Sequence, residues 1–258
     1  MDDDDRQIGT ILGRREVFAL LGAAGATAAA GVLLARGRSV PSAAAQVPAC
    51  VVRPEVTEGP YYVDEDLLRA DIRADPATGV VKEGTPLVLT FDVSQLGAGA
   101  CTPLQGAEVE VWHCDAAGVY SDVSDRGSST VGQQFLRGSQ ITDAAGTVTF
   151  TTIYPGWYPG RAVHIHFKVR PDADTVFTSQ VFFDDGLSDR VFAQAPYVAK
   201  GRRSTLNRTD GIYQASLLLA ATETDEGVAA TFPIALDVSA LGAQRASGAR
   251  PPGQRGAR

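Results

Sequence analysis

Two of the chain's three histidines, His164 and His166, stand two residues apart in Ala162-Val163-His164-Ile165-His166-Phe167. On an extended strand, residues i and i+2 face the same way, so both imidazoles present to one side. A pair so placed is half of a metal site, or else two ordinary surface histidines, and spacing alone does not choose between them. The preceding stretch, Tyr154-Pro155-Gly156-Trp157-Tyr158-Pro159-Gly160-Arg161, carries two prolines and two glycines. That composition makes a fixed turn, able to aim the Tyr158 phenol at the histidines. A second phenol, Tyr120, follows an expected strand over 107–113 and the turn Cys114-Asp115-Ala116-Ala117-Gly118. Taken singly, a tyrosine packs in a core or at a rim more often than it binds a ligand. Arg161, three residues before His164, is either a fixed charge at this site or a charged turn residue.

These side chains need a scaffold. Runs of β-formers recur at 87–93, 107–113, 147–153, 162–170, 176–183, 212–220 and 229–238, separated by Gly, Pro, Asp and Ser clusters. The chain therefore reads as mostly β, a β-sandwich of about seven to nine strands with long loops and little helix. A turn over 64–69, a short helix near 187–194 and a long loop over 121–142 complete the expectation.

In their order along the chain, Thr57-Glu58-Gly59-Pro60-Tyr61-Tyr62, the run 106–120, the run 143–167 and Thr178-Ser179-Gln180-Val181-Phe182-Phe183 resemble the intradiol ring-cleavage dioxygenases. That family includes catechol 1,2-dioxygenase and the β subunit of protocatechuate 3,4-dioxygenase. The resemblance implies one Fe(III) per chain, with Tyr120, Tyr158, His164 and His166 as its ligands. It implies a catechol-type diol and O2 as substrates, and ring cleavage between the two hydroxylated carbons to a muconic-type diacid. It further implies Tyr158 as general base, Arg161 as the charge beside the anionic ring, and Gln180 as a hydrogen-bonding group near the metal. Tyr61 and Tyr62 would line the substrate pocket. His113 stands where many relatives carry glutamine and is expected to be structural. The helical N-terminal dimerisation region of the catechol 1,2-dioxygenases has no counterpart, so the oligomeric state stays open, a homo-oligomer included.

The chain has 258 residues, a net charge of −7, 44% apolar and 21% charged residues, which fits a globular protein and excludes a disordered or collagen-like chain. Residues 46–238 hold 25 acidic against 14 basic side chains, an argument against nucleic acid as partner. Arg14-Arg15, the uncharged Ala- and Gly-rich run 17–35 and Ala43-Ala44-Ala45 resemble a twin-arginine signal peptide cleaved near Ala45. The expectation is export to the cell envelope or beyond through the twin-arginine machinery. An uncleaved membrane anchor, or a lipid on Cys50, is the less favoured reading. One dioxygenase domain is expected over 46–238, followed by a disordered basic tail over 239–258. Of the three cysteines, Cys50 and Cys101 are the preferred disulfide pair, with Cys114 left over. Two rival functions remain at this level. One is a zinc or copper enzyme built on His113, His164 and His166; the other is an exported β-sandwich that binds without cleaving rings.

Overall fold

The computed structural model describes residues 51–97, 100–125 and 128–241. The expected export segment, Cys50 and most of the expected basic tail lie outside them. In chain order the strands are β1 (Pro86–Leu96), β2 (Cys101–Pro103), β3 (Glu108–Trp112), β4 (Ser124–Asp125), β5 (Ser128–Ser129), β6 (Arg137–Ile141), β7 (Thr147–Ile153), β8 (His164–Arg170), β9 (Phe177–Phe182), β10 (Ala220–Thr224) and β11 (Gly227–Leu236). The longest α-helix among the described residues, α1 (Asp185–Phe192), is capped by Asp184, whose carboxylate accepts from Leu187 N at 2.9 Å, and a short helical stretch follows at 238–241, running into the start of the expected disordered tail.

Nine strands build two sheets and β4–β5 a separate ribbon. The first sheet runs β10–β11–β1, with β7 and β2 both on the other side of β1. The second runs β6–β3–β8–β9 and is antiparallel throughout. Alternation sets what lies between the sheets. Leu87, Leu89, Phe91 and Val93 of β1 are buried, as are Val109 and Val111 of β3 and Ile165, Phe167 and Val169 of β8. Phe91, Phe167 and Phe232 meet at centroid distances of 5.0–6.1 Å and tie the two sheets together. The architecture is the expected sandwich.

Three local expectations are corrected. The stretch 212–220 is not a strand: the N–H groups of Ile212 and Tyr213 donate to the Asp210 carboxylate at 2.8 and 3.2 Å, and Ala215–Leu217 is a 3-10 turn. Leu218 makes one isolated parallel bridge to Phe182 of β9, and strand pairing against β11 begins at Ala220. No helical turn forms over 64–69, where the chain instead runs along β6 through a bridge between Leu68 and Ser139. The region 121–142 is not one loop either. It contains β6, whose residues Arg-Gly-Ser-Gln-Ile carry almost no β-forming signal yet pair in full register with β3. The expected helix near 187–194 forms two residues earlier.

Candidate metal centre

The second sheet has a second buried face. His164, His166, Lys168 and Arg170 alternate with the core residues of β8, and only Arg170 is partly exposed. Cross-strand register lays Arg137, Trp112, His166 and Gln180 in one row across all four strands. The Trp112 indole stacks on His166 at 5.0 Å and 11° between planes, fixing the imidazole in orientation. His164 Nδ1 lies 2.6 Å from the Ala162 carbonyl, which can only accept, so Nδ1 carries the proton and Nε2 a lone pair. That Nε2 stands 3.0 Å from His166 Nε2.

Both phenols arrive on turns that are clamped to each other. In the turn before Tyr120, one Asp115 carboxylate oxygen accepts from Ala117 N and Val119 N at 3.0 Å, while the other pairs with Lys82 at 3.0 Å. Gly118 has φ +79°, and a Cβ there would collide with the Trp157 carbonyl and the Lys200 ammonium. The Asp115 carbonyl accepts from Gly156 N at 3.1 Å, and Lys200 donates to the carbonyls of Ala117 and Trp157. So held, Tyr158 Oη lies 3.0 Å and Tyr120 Oη 3.5 Å from His164 Nε2.

The segment 57–62 closes the site. The Thr57 carbonyl accepts from Gln180 Nε2 at 2.8 Å, and Glu58 pairs with the buried Lys168 at 2.8 Å. Gly59 lies against His166. Tyr61 stacks on Tyr120 at 4.4 Å and donates to Asp125 of β4 at 2.8 Å. Tyr62 packs on Trp112 at 5.0 Å, accepts from Arg170 at 2.9 Å, and has the Lys168 ammonium 3.4 Å from its ring centre. Arg161 sits on the remaining side. Its Nε donates to Asp210 at 2.9 Å, its Nη2 to Gln180 at 2.5 Å, and its Nη1 stands 3.4 Å from His164 Nε2.

The electrostatics suit a cation. Burial pushes the His164 imidazole down to about 3, with Arg161 adding to the effect, and drives His166 well below its usual range. Two rings held neutral thus turn their Nε2 atoms toward each other, 3.0 Å apart. Burial also raises both Tyr120 and Tyr158 above the ordinary phenol range, so neither ionises without a strong Lewis acid beside it. Among the described residues no group of three His, Cys, Asp or Glu forms a metal site, so the phenols are needed to complete this donor set. A tyrosinate–imidazole set of this kind fits a ferric ion.

The structure brings together the residues that the resemblance places at the site. Tyr120, Tyr158, His164, His166, Arg161 and Gln180 converge, and Tyr61 and Tyr62 form one wall. It separates His113 from them. Both ring nitrogens of His113 are engaged elsewhere, with the Cys114 carbonyl at 2.8 Å and Thr152 Oγ1 at 2.7 Å. A site of His113, His164 and His166 does not exist. Cys101 is disulfide-bonded and Cys114 is free and buried; Cys50, the partner expected for Cys101, lies outside the described residues. Three contributors escaped the sequence reading. Trp112 and Lys168 were visible in principle, since Glu108, Glu110 and Trp112 share one face of β3 opposite the basic face of β8. Asp210, 49 positions from Arg161, carried no local signal. A cleft of about 430 Å³, lined by Glu65, Glu108, Glu110, Arg137 and Arg170 among others, lies farther along the same face and includes none of the four donors.

A family model described as Dioxygenase matches residues 57–237. The protocatechuate 3,4-dioxygenase β chain of Burkholderia cepacia is 34% identical over 170 residues, 58% of this chain and 70% of that one. A chlorocatechol 1,2-dioxygenase of Pseudomonas putida is 30% identical over 153 residues, and the chain spans about half, 53%, of its length. An intradiol ring-cleavage dioxygenase of known structure from Tetranychus urticae superposes with a TM-score of 0.66 at 29% identity, covering 73% of this chain and 95% of that one. The match runs through the segment over the site, both tyrosine turns and the strand of the two histidines, and on that ground the chain belongs to the intradiol ring-cleavage dioxygenases, a family of oxidoreductases.

Proposed function

We propose that the chain binds one Fe(III) through Tyr120, Tyr158, His164 and His166 and uses O2 to cleave a catechol-type diol between its hydroxylated carbons, giving a muconic-type diacid. The observation that carries this reading is the convergence of two phenol oxygens on His164 Nε2 at 3.0 and 3.5 Å, with His166 Nε2 at 3.0 Å, in a buried site. A ferric ion held there, favoured over ferrous by two anionic phenolates, would supply Lewis acidity toward the hydroxyls of a bound diol. The protein's own groups divide the remaining work. Tyr158 Oη takes a proton from the diol as general base. Arg161 sets a fixed positive charge where the ring gains anionic character. Tyr61 and Tyr62, with Trp112 behind Tyr62, exclude water from the ring's face.

The test is a purified protein with its metal content, visible spectrum and product. Stoichiometric iron, a phenolate-to-Fe(III) absorption that colours the protein red, and an ultraviolet-absorbing muconate from catechol, 4-methylcatechol or protocatechuate are expected. His166→Ala should lose iron and colour together, and Tyr158→Phe should shift the colour and slow turnover. Stoichiometric zinc in a colourless protein, or a yellow semialdehyde from extradiol cleavage, would overturn the assignment.

A further inference from the structure

Arg161 has three faces to satisfy, and Asp210 is the one whose role is not explained by the reaction itself. Its side chain is fully buried, with 0% exposure. One carboxylate oxygen accepts from Arg161 Nε at 2.9 Å and from Ala162 N at 2.7 Å. The other accepts from Ile212 N at 2.8 Å and Tyr213 N at 3.2 Å. Four N–H donors thus saturate one carboxylate, an arrangement that holds it ionised and immobile. The segment carrying it is itself anchored: Asn207 donates to the Phe183 carbonyl at 2.8 Å just beyond β9.

We propose that Asp210 is a positioning residue for the ring-cleavage reaction. It holds the Arg161 guanidinium by Nε, while Gln180 holds Nη2, so that Nη1 alone is turned toward the donor cluster. The inference rests on the reading of Arg161 as the charge facing the bound diol. A guanidinium held at two corners cannot swing, and its charge is in place before the ring becomes anionic. Without that hold the same charge would have to be ordered during the reaction, which slows the chemical step more than it weakens binding. Asp210 also accepts from the backbone of Ala162, the residue whose carbonyl fixes the His164 tautomer, so one carboxylate sets the register of Arg161 against a proposed ligand.

The test is a double-mutant cycle on the iron-loaded enzyme. Asp210→Asn keeps the shape but sets an amide N–H against N–H donors on one side. It should retain stoichiometric iron and the visible band, lower kcat by roughly 10- to 100-fold and move KM much less. Arg161→Ala should show the same pattern, and the double variant should be no slower than Arg161→Ala alone, because both act through one guanidinium. Losses that multiply in the double variant, or a wild-type kcat in Asp210→Asn beside a slow Arg161→Ala, would overturn the positioning role and leave the reading of Arg161 intact. A wild-type kcat in Arg161→Ala would instead remove the premise. If Asp210→Asn does not fold, a crystal structure of the wild-type holoenzyme with bound 4-nitrocatechol decides: Nε must stay on Asp210 with Nη1 facing the ligand, and a guanidinium free of Asp210 overturns the proposal.

Discussion

At Gly59 the backbone has φ +74°, and a Cβ built there would stand 3.2 Å from His166 Cε1. Two costs follow for any other residue. The left-handed conformation disfavours an L side chain by about 1–2 kcal/mol, and the added methyl presses on an imidazole already wedged against Trp112. Gly79 separates the two effects, because it has φ +72° with nothing within 4 Å. Both Gly59→Ala and Gly79→Ala should lower stability to denaturant by about 1–2 kcal/mol, but only Gly59→Ala should also retain iron poorly. Equal iron contents in the two variants would show that the contact on His166 is of no consequence. Residue type and spacing drew attention to the two histidines and two tyrosines, and the family resemblance joined them into one ligand set. The contact partners that hold them, Trp112 under His166 and Asp210 under Arg161, depend on register and on chain return, and neither is written in local spacing.

Strand β8 shows why this face of the sheet resists a simple alternation pattern. Its odd positions, Ile165, Phe167 and Val169, fill the space between the sheets, while of its even positions His166 and Lys168 are buried against the segment 57–62 and His164 among Tyr120, Tyr158 and Arg161. A strand with one wet face would alternate apolar with exposed polar residues. Here the polar residues are as dry as the apolar ones, so each must find a partner. Lys168, with a side chain 3% exposed, finds Glu58 at 2.8 Å and the Tyr62 ring. Glu58, 15% exposed, keeps some contact with water. The pair is therefore asymmetric. Glu58→Gln strands a buried ammonium and should cost about 3 kcal/mol or more, whereas Lys168→Met, which removes the buried charge itself, should cost about half as much or less. Urea denaturation of the two variants and their double measures this; equal losses would mean that the segment is held by its aromatic contacts instead. The same reasoning explains β6. Its Arg-Gly-Ser-Gln-Ile sequence becomes a strand because β3 offers an edge, with a buried Arg137 bonded to Ser121 and to the Tyr61 carbonyl, and tertiary pairing overrides its weak propensity.

For the molecule as a whole, the sandwich was legible because β1, β3, β7, β8, β9 and β11 carry dense β-former runs. The stretch 212–220 has the same composition and is not a strand, since Asp210 captures its first two N–H groups. What joins the two sheets is mostly apolar, and His113 adds a fully buried polar link. Lying directly beyond β3 of the second sheet, it meets Thr152 of β7 in the first at 2.7 Å, and its Nδ1–H donates to the Cys114 carbonyl at 2.8 Å. Burial pushes its imidazole down to about 4 from an ordinary 6.5. This is a base whose folded-state pKa is depressed, so the unfolded chain binds the proton more readily. Its contribution is fully present above about pH 6.5, declines as pH falls through the window between 6.5 and 4, and changes no further below it. Between pH 7 and pH 5 the loss from this group alone is on the order of 2 kcal/mol. His113→Gln keeps a polar side chain between the sheets and removes the titration. Urea denaturation of the wild type and His113→Gln at pH 7, 6 and 5 therefore compares two slopes, with the titrations of the other two histidines common to both proteins. The variant should lose about 2 kcal/mol less over that range; parallel slopes would place the acid sensitivity of this fold at the metal centre instead of between its sheets.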